Sequence, residues 1–454
     1  MPATLLRGGT VLAMDAGRRI VRADLLVEEG RIARVGRGLR APRGAELIDC
    51  AGKAVLPGLV QAHVHLCQAL FRNHADGLEL LDWLAQRIWP YEAAHDARSL
   101  RFSARLGIAE LLLSGTTCVL DMATVRHTDE VLRAAEESGI RYTGGKCLMD
   151  AAGSPPGLRE ETRAALDEAE RLGTRWHLAA SGRIRWALCP RFVLSCTDEL
   201  LRGVRELSSR HGWLVHTHAS ENRAEVDEVR ARTGADNVEH LARLGLSGRG
   251  VVLAHCVHVT QREARLMARS GTSAVHCPGA NLKLASGIAP LPQLLSSGVN
   301  VALGADGAPC NNTLDAFHEM RLAATLHLPA FGPRAMPPAE VLALATIRGA
   351  RALGLEREIG SLEQGKRADV TVVDLRTPHA SPSGEDLHGT IVYSARASDV
   401  TDVLVDGRPV VRGGRLLTLD AGALARAAPA EVARLLRRVR RPRPDRRARR
   451  DRER

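Results

Sequence analysis

Residues 57–68 read PGLVQAHVHLCQ, a short apolar run that ends in two histidines separated by one residue. Side chains alternate between the two faces of a strand, so His63 and His65 are predicted to point in the same direction. Two imidazoles at the end of one buried strand indicate a metal or catalytic site, to which other parts of the chain must contribute.

The middle of the chain alternates short apolar runs with longer amphipathic stretches, which is typical of βα units around a parallel sheet. Eight such units over roughly 300 residues fit a closed (β/α)8 barrel, whose chemistry lies at the carboxyl ends of the strands. The predicted strands are 58–65, 116–122, 141–148, 184–191, 213–220, 251–256, 272–278 and 299–306.

Both ends of the chain differ from the middle. Before residue 57, and again over 367–415, short apolar runs alternate with Gly and charged turns, a pattern typical of β-hairpins. We therefore predict an α/β protein, in which a TIM barrel carries a small β-sandwich built from both chain ends. The predicted segments are 1–57 and 366–420 for the sandwich, 58–365 for the barrel, and 421–454 for a final helix followed by a disordered Arg-rich tail.

Composition excludes several classes of protein. Hydrophobic residues make up 45% of the 454 residues, yet no stretch of about 18 apolar residues predicts a membrane span and no targeting leader is recognisable. The nine cysteines form no CxxC pair, as expected for reduced thiols of a cytoplasmic protein. Most of the net charge of +11 comes from residues 437–454, with 11 Arg and 3 acidic residues. If the chain binds nucleic acid, the tail is the segment expected to bind it.

Further imidazole and carboxylate side chains follow the ends of other predicted strands. They are His216, His218 and Glu221 in HTHASE, His255 in AHCVH, and Asp306 in GADGA. In a closed barrel they would converge on one mouth together with His63 and His65. Histidine and carboxylate ligands without thiolate suit Zn²⁺ or Fe²⁺. The sequence therefore predicts a divalent metal that activates water for hydrolysis.

These motifs, with RGGTVLAMD near the start and IGSLEQGKRADVTVVDL near the end, resemble the amidohydrolase superfamily in order and position. The resemblance extends over nearly the whole chain up to about residue 415. Binuclear members carry a carboxylated lysine at the end of strand 4, where this chain reads CPR, so the resemblance implies a single ion. Carried over from the mononuclear deaminases, the implied ligands are His63, His65, His218 and Asp306.

The same resemblance implies the catalytic residues Glu221, His255 and Asp306. Asp306 would take the proton of the attacking water, which His255 orients, and Glu221 would protonate the ring nitrogen beside the carbon under attack. Ammonia would then leave, although the same apparatus suits loss of chloride or an amine from a triazine. His216 is expected to be structural.

The segment after strand 1, NHADGLELLDWLAQRIWPYEAAH, resembles deaminases of methylthioadenosine, S-adenosylhomocysteine and 5′-deoxyadenosine. That resemblance implies that Trp83 covers the purine and that Glu92 accepts the ribose hydroxyls, unless both belong to an ordinary lid helix. Those enzymes end strand 4 in Pro-His, whereas this chain has Arg191 in a PRF segment that is more similar to guanine deaminase. Arg191 and His255 are expected to contact the substrate. For Arg191, the contact could be with the base or with the sugar end.

The leading hypothesis is a metal-dependent hydrolytic deaminase that converts a 5′-modified adenosine to the inosine analogue and ammonia. Its cofactor would be one divalent ion, Zn²⁺ with Fe²⁺ as the alternative. Guanine deaminase and triazine hydrolase are the alternatives within the superfamily. A non-catalytic barrel that binds nucleic acid through its Arg-rich tail is the alternative of another class. The family resemblance implies a homo-oligomer without a membrane partner.

Overall fold

A computed structural model describes residues 2–440, and its first elements are the strands of a β-sheet. These strands are β1 (Thr4–Leu12), β2 (Ile20–Glu28), β3 (Arg31–Gly36), β4 (Glu46–Asp49) and β5 (Lys53–Pro57). One edge of β1 pairs antiparallel with β2, and its other edge is shared by β4 and β5, which both run parallel to it.

Eight parallel strands then form the predicted barrel, which is confirmed. They are β6 (Leu59–Val64), β7 (Thr116–Met122), β8 (Arg141–Gly145) with its continuation β9 (Cys147–Leu148), β10 (Ile184–Pro190), β11 (Leu214–Ala219), β12 (Val251–His255), β13 (Ser273–His276) and β14 (Val301–Leu303). Neighbours in the sheet follow chain order. The barrel closes where Val64 bridges Asp306, whose N–H donates to the carbonyl of His63 at 3.0 Å.

The barrel strands are buried along nearly their whole length because both of their faces are covered. Every residue of β6, β7 and β12 is buried. The helices of the chain are α1 (Leu80–Trp83), α2 (Trp89–Ala93), α3 (Ala97–Leu113), α4 (Thr128–Ser138), α5 (Thr162–Trp176), α6 (Ala179–Gly182), α7 (Asp198–His211), α8 (Arg223–Thr233), α9 (Asn237–Arg243), α10 (Gln261–Ser270), α11 (Pro278–Lys283), α12 (Leu291–Ser296), α13 (Ala308–Asn311), α14 (Ala316–Thr325), α15 (Leu328–Phe331), α16 (Pro338–Leu344), α17 (Ile347–Ala352), α18 (Leu387–Gly389) and α19 (Ala421–Arg440).

All barrel strands except β7 are shorter than predicted or interrupted, and two of these differences have a visible cause. The strand predicted over 141–148 is interrupted at Lys146, whose buried ammonium donates to the carbonyl of Val125 and to Glu160. The strand predicted over 299–306 ends at Leu303. Beyond it the backbone leaves the sheet direction so that Asp306, with a φ of 62°, turns toward the barrel mouth.

The C-terminal strands complete the first sheet, so the predicted β domain from both chain ends is confirmed as one hydrogen-bonded sheet. They are β15 (Val370–Asp374), β16 (Val400–Val405), β17 (Arg408–Arg412) and β18 (Arg415–Leu416). β15 pairs antiparallel with β5 and thereby joins the two halves. The sheet has its own apolar core, to which both halves contribute.

A buried ion pair links this sheet to the barrel. Arg141 of β8 donates to both carboxylate oxygens of Asp369, at 2.8 and 2.9 Å, and it also pairs with Asp406. Burial of an arginine is tolerable only with such partners. The two sheets are therefore held in one relative position at this contact.

The final helix, α19, packs against α2 and α3 beside the barrel mouth. Leu435 is fully buried there, and Arg438 donates to the carbonyl of Ala94 at 2.7 Å and to Ser99 at 2.8 Å. The Arg-rich tail was predicted from 437 onward, but its first four residues belong to α19 and residues 441–454 lie outside the described part. The division into 1–57, 58–365, 366–420 and 421–454 stays a prediction.

Within residues 2–440, no helix combines the length and the apolar character that crossing a membrane requires. All nine cysteines are buried and none is in a disulfide. Their arrangement is that of packed core thiols, as the irregular spacing predicts.

Candidate active site

Side chains from three strand ends meet at the carboxyl end of the barrel. Nε2 of His63 and Nε2 of His65 lie 3.2 and 3.3 Å from Oδ1 of Asp306. Nε2 of His65 is 3.2 Å from Nε2 of His218, which β11 contributes. All four residues predicted as metal ligands are thus brought together, and all are buried.

The backbone fixes the tautomer of two of these histidines. Nδ1 of His65 donates to the carbonyl of Met122 at 2.8 Å, and Nδ1 of His218 donates to the carbonyl of Arg191 at 2.7 Å. A carbonyl can only accept, so the proton of each ring is on Nδ1 and the lone pair is on Nε2. Two lone pairs that face each other across 3.2 Å repel unless a cation lies between them.

His216, which was expected to be structural, holds His63 in the same way. Nδ1 of His216 donates to the carbonyl of Val252 at 3.2 Å, so its Nε2 accepts from Nδ1 of His63 at 2.8 Å. Nε2 of His63 is left with a lone pair and has no hydrogen-bond partner among residues 2–440. Outer partners of this kind orient the ligands of metal sites.

The donor set fits a divalent metal ion. Ligand atoms lie within 4.8 Å of one another in two overlapping groups, His63 with His218 and His255, and His63 with His65 and Asp306. Neutral imidazoles and a carboxylate without thiolate are the donors that zinc and iron accept in hydrolases. The buried cluster therefore has the donors that could hold a divalent ion.

Electrostatics hold these residues in the forms that bind a cation. Burial lowers the pKa of His63 and of His65 to about 4, although Asp306 opposes part of this effect. Burial alone would raise the pKa of Asp306, but the surrounding imidazoles outweigh it and hold that pKa well below its ordinary value. At neutral pH the rings are unprotonated and the carboxylate is charged.

Glu221 stands next to this cluster with the opposite electrostatic character. Burial, together with the carboxylates of Asp306 and Glu225, raises the pKa of Glu221 well above its ordinary value. A capping box at the start of α8 positions it, because Glu225 accepts from the N–H groups of Glu221 and Asn222 at 2.7 and 3.3 Å. Burial therefore favours the protonated form of Glu221, the form that can act as an acid.

His255 lies between the acid and the metal cluster. Its Nε2 is 3.4 Å from Glu221 and 3.9 Å from Asp306, and its Nδ1 contacts Oδ1 of Asn281 at 2.9 Å. His255 and Asp306 both have positive φ angles, 71° and 62°. Left-handed backbone at non-glycine residues is costly and is concentrated at functional sites.

A small cavity opens onto this cluster. Its wall is formed by His65, Gln68, Leu80, Trp83, Leu84, Arg191, Phe192, His218, Glu221, His255 and Asp306. The residues predicted to bind substrate are therefore only partly brought to the cavity. Trp83, Arg191 and His255 line it, but Glu92 does not.

Glu92 instead lies behind the wall, fully engaged with other side chains. Its Oε2 accepts from Nη1 of Arg191 at 2.7 Å, and its Oε1 accepts from Nε2 of Gln68 at 2.9 Å and from Nη2 of Arg191 at 3.3 Å. The side chains of Glu92 and Arg191 are 1% and 3% exposed. The ribose contact of Glu92 stays a prediction.

Sequence reasoning missed two residues of this site. Gln68 is three residues after His65, at the end of the run PGLVQAHVHLCQ. The 3-10 helix Leu66–Phe71 turns it toward the cavity. Asn281, the partner of His255, lies in the conspicuous run AVHCPGANLK. Both residues lie in recognisable runs of the sequence. Neither residue type indicates its hydrogen-bond partner before the fold is known.

Comparisons with known proteins agree with this geometry. The model of the Amidohydrolase family matches residues 54–410. A 5-methylthioadenosine/S-adenosylhomocysteine deaminase of Moorella thermoacetica is 39% identical over 425 residues, 93% of this chain and 97% of that protein. A 5′-deoxyadenosine deaminase of Methanothermobacter thermautotrophicus is 39% identical over 432 residues, 94% of this chain and 98% of its own length. The structure of a zinc-bound adenosine deaminase from Xanthomonas campestris superimposes with a TM-score of 0.90 at 32% identity, covering 95% and 98% of the two chains.

Proposed function

Because the chain belongs to the amidohydrolase family, we propose that it deaminates a 5′-modified adenosine by metal-dependent hydrolysis. It is a hydrolase that acts on C–N bonds of cyclic amidines. In the proposed reaction, water replaces the exocyclic amino group and gives the inosine analogue and ammonia. The observation that carries the proposal is the buried Glu221, whose raised pKa favours the protonated form, 3.4 Å from His255 in a cavity that Trp83 also lines.

The proposed ligands of the ion are His63, His65, His218 and Asp306. We propose Zn²⁺ as the native ion, in keeping with the zinc-bound relative, while Fe²⁺ accepts the same donors. A divalent ion held there would lower the pKa of a water molecule toward about 7. The fourth strand of the barrel, β10, is followed by Arg191 and not by a lysine. We therefore propose one ion per chain.

The residues of the chain then divide the proton transfers. Asp306, a charged carboxylate, accepts the proton of the attacking water, and His255 orients that water through its free Nε2. Glu221 gives its proton to the ring nitrogen next to the carbon under attack, which neutralises the charge that develops there. General acid catalysis of this kind contributes about 10²–10⁴-fold to a rate.

The cavity wall supports a flat heteroaromatic substrate. Trp83, Leu80 and Phe192 provide apolar surface, and the indole N–H of Trp83 lacks a hydrogen-bond partner in the described part of the chain. We propose that Trp83 covers the purine. The relatives act, by their names, on adenosines that carry different 5′ substituents, so 5′-deoxyadenosine, methylthioadenosine and S-adenosylhomocysteine are the proposed substrates.

Guanine is the second candidate substrate because of one observation. Arg191 reaches the cavity wall beside Phe192, whereas Glu92 is withdrawn from it. An arginine at the wall suits a ring carbonyl, and a free base needs no ribose contact. The leading proposal is preferred because the relatives of highest coverage are nucleoside deaminases.

The substrate is identified by assay of the zinc-loaded enzyme. Loss of adenine absorbance and release of ammonia are followed with 5′-deoxyadenosine, methylthioadenosine, S-adenosylhomocysteine, adenosine and guanine. We expect the 5′-modified adenosines to give the highest kcat/KM, and we expect chelation to abolish turnover and one equivalent of zinc to restore it. Turnover of guanine alone would reject the nucleoside proposal but leave the metal site intact.

The oligomeric state and the cellular compartment are also proposed. We propose a homo-oligomer in the cytoplasm, on the strength of the family resemblance. Light scattering coupled to size exclusion measures the molecular mass of the assembly against the 48.9 kDa of one chain. A mass of one chain at assay concentration would contradict the oligomer.

A further inference from the structure

Glu319 of α14 is a fully buried carboxylate that takes no part in the proton transfers proposed above. Its Oε2 accepts from the backbone N–H of Gly279 at 3.0 Å, and its Oε1 accepts from Nδ2 of Asn311 at 2.9 Å. Burial raises the pKa of Glu319 to about 7, while both donors act in the opposite direction and favour the carboxylate. The two hydrogen bonds connect α14 to two separate segments of the barrel mouth.

The contact with Asn311 leads to Asp306. Nδ2 of Asn311 also donates to the carbonyl of Ala305 at 2.8 Å. Carboxylate and carbonyl oxygens can only accept, so the orientation of the Asn311 amide is fixed. The carbonyl belongs to the peptide bond between Ala305 and Asp306, and the N–H of that peptide donates to the carbonyl of His63 at 3.0 Å. Both polar groups of this peptide are therefore held in place.

The orientation of this peptide determines where the Asp306 side chain points. Asp306 has a φ of 62°, and φ is the rotation about the bond between the nitrogen of this peptide and the Cα atom. A non-glycine residue stays in the left-handed region only where its surroundings impose it. Glu319 and Asn311 therefore contribute to directing the Asp306 carboxylate toward the histidine cluster.

The contact with Gly279 leads to His255. Gly279 is the second residue of α11, and Asn281 of the same helix contacts Nδ1 of His255 through Oδ1 at 2.9 Å. An amide oxygen can only accept, so Nδ1 of His255 donates and Nε2 keeps its lone pair. By binding the first turn of α11, Glu319 holds the helix whose Asn281 orients His255.

The packing at Gly279 shows how closely α11 and Glu319 approach each other. An added Cβ would lie 2.5 Å from Oε1 of Glu319 and 2.7 Å from Oδ1 of Asn311. Gly279 does not have a left-handed φ, so its backbone conformation is open to other residues. The contact with Glu319, and not the backbone, therefore accounts for a glycine at this position.

We propose that Glu319 is a positioning residue that fixes Asp306 and His255 relative to each other, acting through Asn311 and through α11. The inference rests on the proposed function, in which Asp306 accepts the proton of the attacking water and His255 orients that water. Nε2 of His255 is 3.9 Å from Oδ2 of Asp306, and one water molecule must contact both groups. A shift of either segment would misplace one of the two groups relative to the water, and misplacement of reacting groups by about 1 Å can cost about 100-fold in rate.

The first test compares Glu319→Gln with the wild type. Glutamine keeps the volume but places an NH₂ group against one of the two N–H donors. We expect kcat to fall by about 10–100-fold and zinc affinity, measured by chelator competition, to fall by about tenfold, with KM changed by less than about threefold. Glu263→Gln is the matched control, because Glu263 is equally buried and accepts from the N–H groups of Val238 and Thr260 at 2.9 and 2.8 Å, away from Asp306 and Asn281.

The second test, Gly279→Ala, disturbs the same contact from the other side without changing a charge. The new Cβ must displace the Glu319 carboxylate, so we expect the same losses of kcat and of zinc affinity. Alanine is a better helix former than glycine, so helix propensity does not account for such a loss. Gly422→Ala is the control, because Gly422 is also the second residue of a helix and its Cβ would meet first the end of the Arg426 side chain, at 3.1 Å.

The double variant shows whether the two substitutions act on one contact. We expect Glu319→Gln with Gly279→Ala to be no worse than the poorer single variant, because each change breaks the same link. Losses that multiply would mean that Glu319 and Gly279 act independently and would overturn the proposal. Should Glu319→Gln fail to fold, Gly279→Ala and its control decide the question.

The zinc measurement separates this inference from the proposed function. If the wild type deaminates none of the purines but zinc affinity falls only in Glu319→Gln and Gly279→Ala, the proposed function fails and the positioning role is supported. If the wild type is active and both variants keep its kcat and zinc affinity, the proposed function stands and the positioning role is overturned. Equal losses in the control variants, with an equal decrease in Tm, would indicate general packing and would overturn it as well.

Discussion

Glu221 is buried next to Asp306 and Glu225, and burial together with these carboxylates raises its pKa well above the ordinary value. Glu221→Gln keeps the shape and the hydrogen-bonding capacity but removes the acidic proton. We expect kcat to fall by about 10²–10⁴-fold while the zinc content stays at the wild-type level. Steady-state kinetics and elemental analysis of the same preparation measure both quantities.

The zinc content is the internal control of that experiment. A variant that has lost its metal would be inactive for a different reason. A variant that keeps both metal and wild-type kcat would remove Glu221 from the mechanism.

His216 contacts the proposed ligand His63 and is not itself a proposed ligand. Its substitution tests whether such an outer hydrogen-bond partner affects zinc affinity. His216→Ala deprives Nδ1 of His63 of its acceptor, so the ring is free to rotate or to change tautomer. We expect zinc affinity to fall by about 10–100-fold in a chelator competition assay. His276→Ala is the control, because His276 is equally buried on β13 and has no hydrogen bond to His63. Equal losses in both variants would indicate a general packing effect instead.

At the residue scale, the sequence predicted which histidines and which aspartate meet at the barrel mouth, but it predicted the contacts within the cavity wall poorly. His63, His65 and His218 could be located because each lies in a strand-end motif, where alternation fixes the direction of the side chain. The partner of Glu92 could not be predicted, because Arg191 is 99 residues further along the chain. Carboxylates that bind a diol and carboxylates that bind a guanidinium look the same in a sequence.

At the scale of the strand ends, protons and metal compete for the same lone pairs. Only a neutral imidazole binds the ion, and burial lowers the pKa of His63 and His65 to about 4, compared with about 6.5 for an exposed histidine. A lowered pKa keeps the ligand form present at lower pH. We therefore expect zinc to be retained at about pH 5.5 and released only as the pH approaches about 4.

Dialysis of the zinc enzyme against metal-free buffers of decreasing pH measures that release. Far-UV circular dichroism on the same samples shows whether the barrel is still folded. Release with a midpoint near pH 6.5 from folded protein would contradict the electrostatic description of the site.

α19 is the element that covers α2, which carries Glu92. Leu435 is fully buried in that contact. Leu435→Ala should destabilise the contact by about 2–5 kcal/mol, so the amides of α19 and α2 should exchange with solvent faster than in the wild type. Arg437→Ala, at an exposed position of the same helix, is the control. Unchanged exchange in α2 would mean that α19 does not hold it.

Whether a segment forms a helix or a strand could be predicted where the sequence periodicity was strong. The residues at which helices and strands begin and end could not be predicted. The run TTCVLDM gave β7 its predicted bounds because most of its residues are β-branched or apolar. The break at Lys146 and the early end of β14 depend on a buried ammonium and on a left-handed Asp306, and neither has a local sequence signal.

At the scale of the whole molecule, the Arg-rich end and the catalytic site can be separated. Residues 441–454 contain eight arginines and three acidic residues, and all proposed catalytic residues precede them. We expect a chain that ends at Arg440 to keep the wild-type kcat/KM but to elute from heparin at lower salt, because fewer cations contact the polyanion. Loss of activity on truncation would link the tail to catalysis. A tail required for nucleic-acid binding in a protein without deaminase activity would favour the scaffold alternative.

The order of the strands in the first sheet has a consequence for synthesis on the ribosome. β5 ends at Pro57, but β15, which covers its free edge, begins only at Val370. Translation of roughly 300 intervening residues takes about 15–60 s, and during that time the nascent chain carries an uncovered strand edge that invites pairing with other chains. Yield in a cell should therefore depend on chaperones that hold the emerging polypeptide, more than on the stability of the finished enzyme.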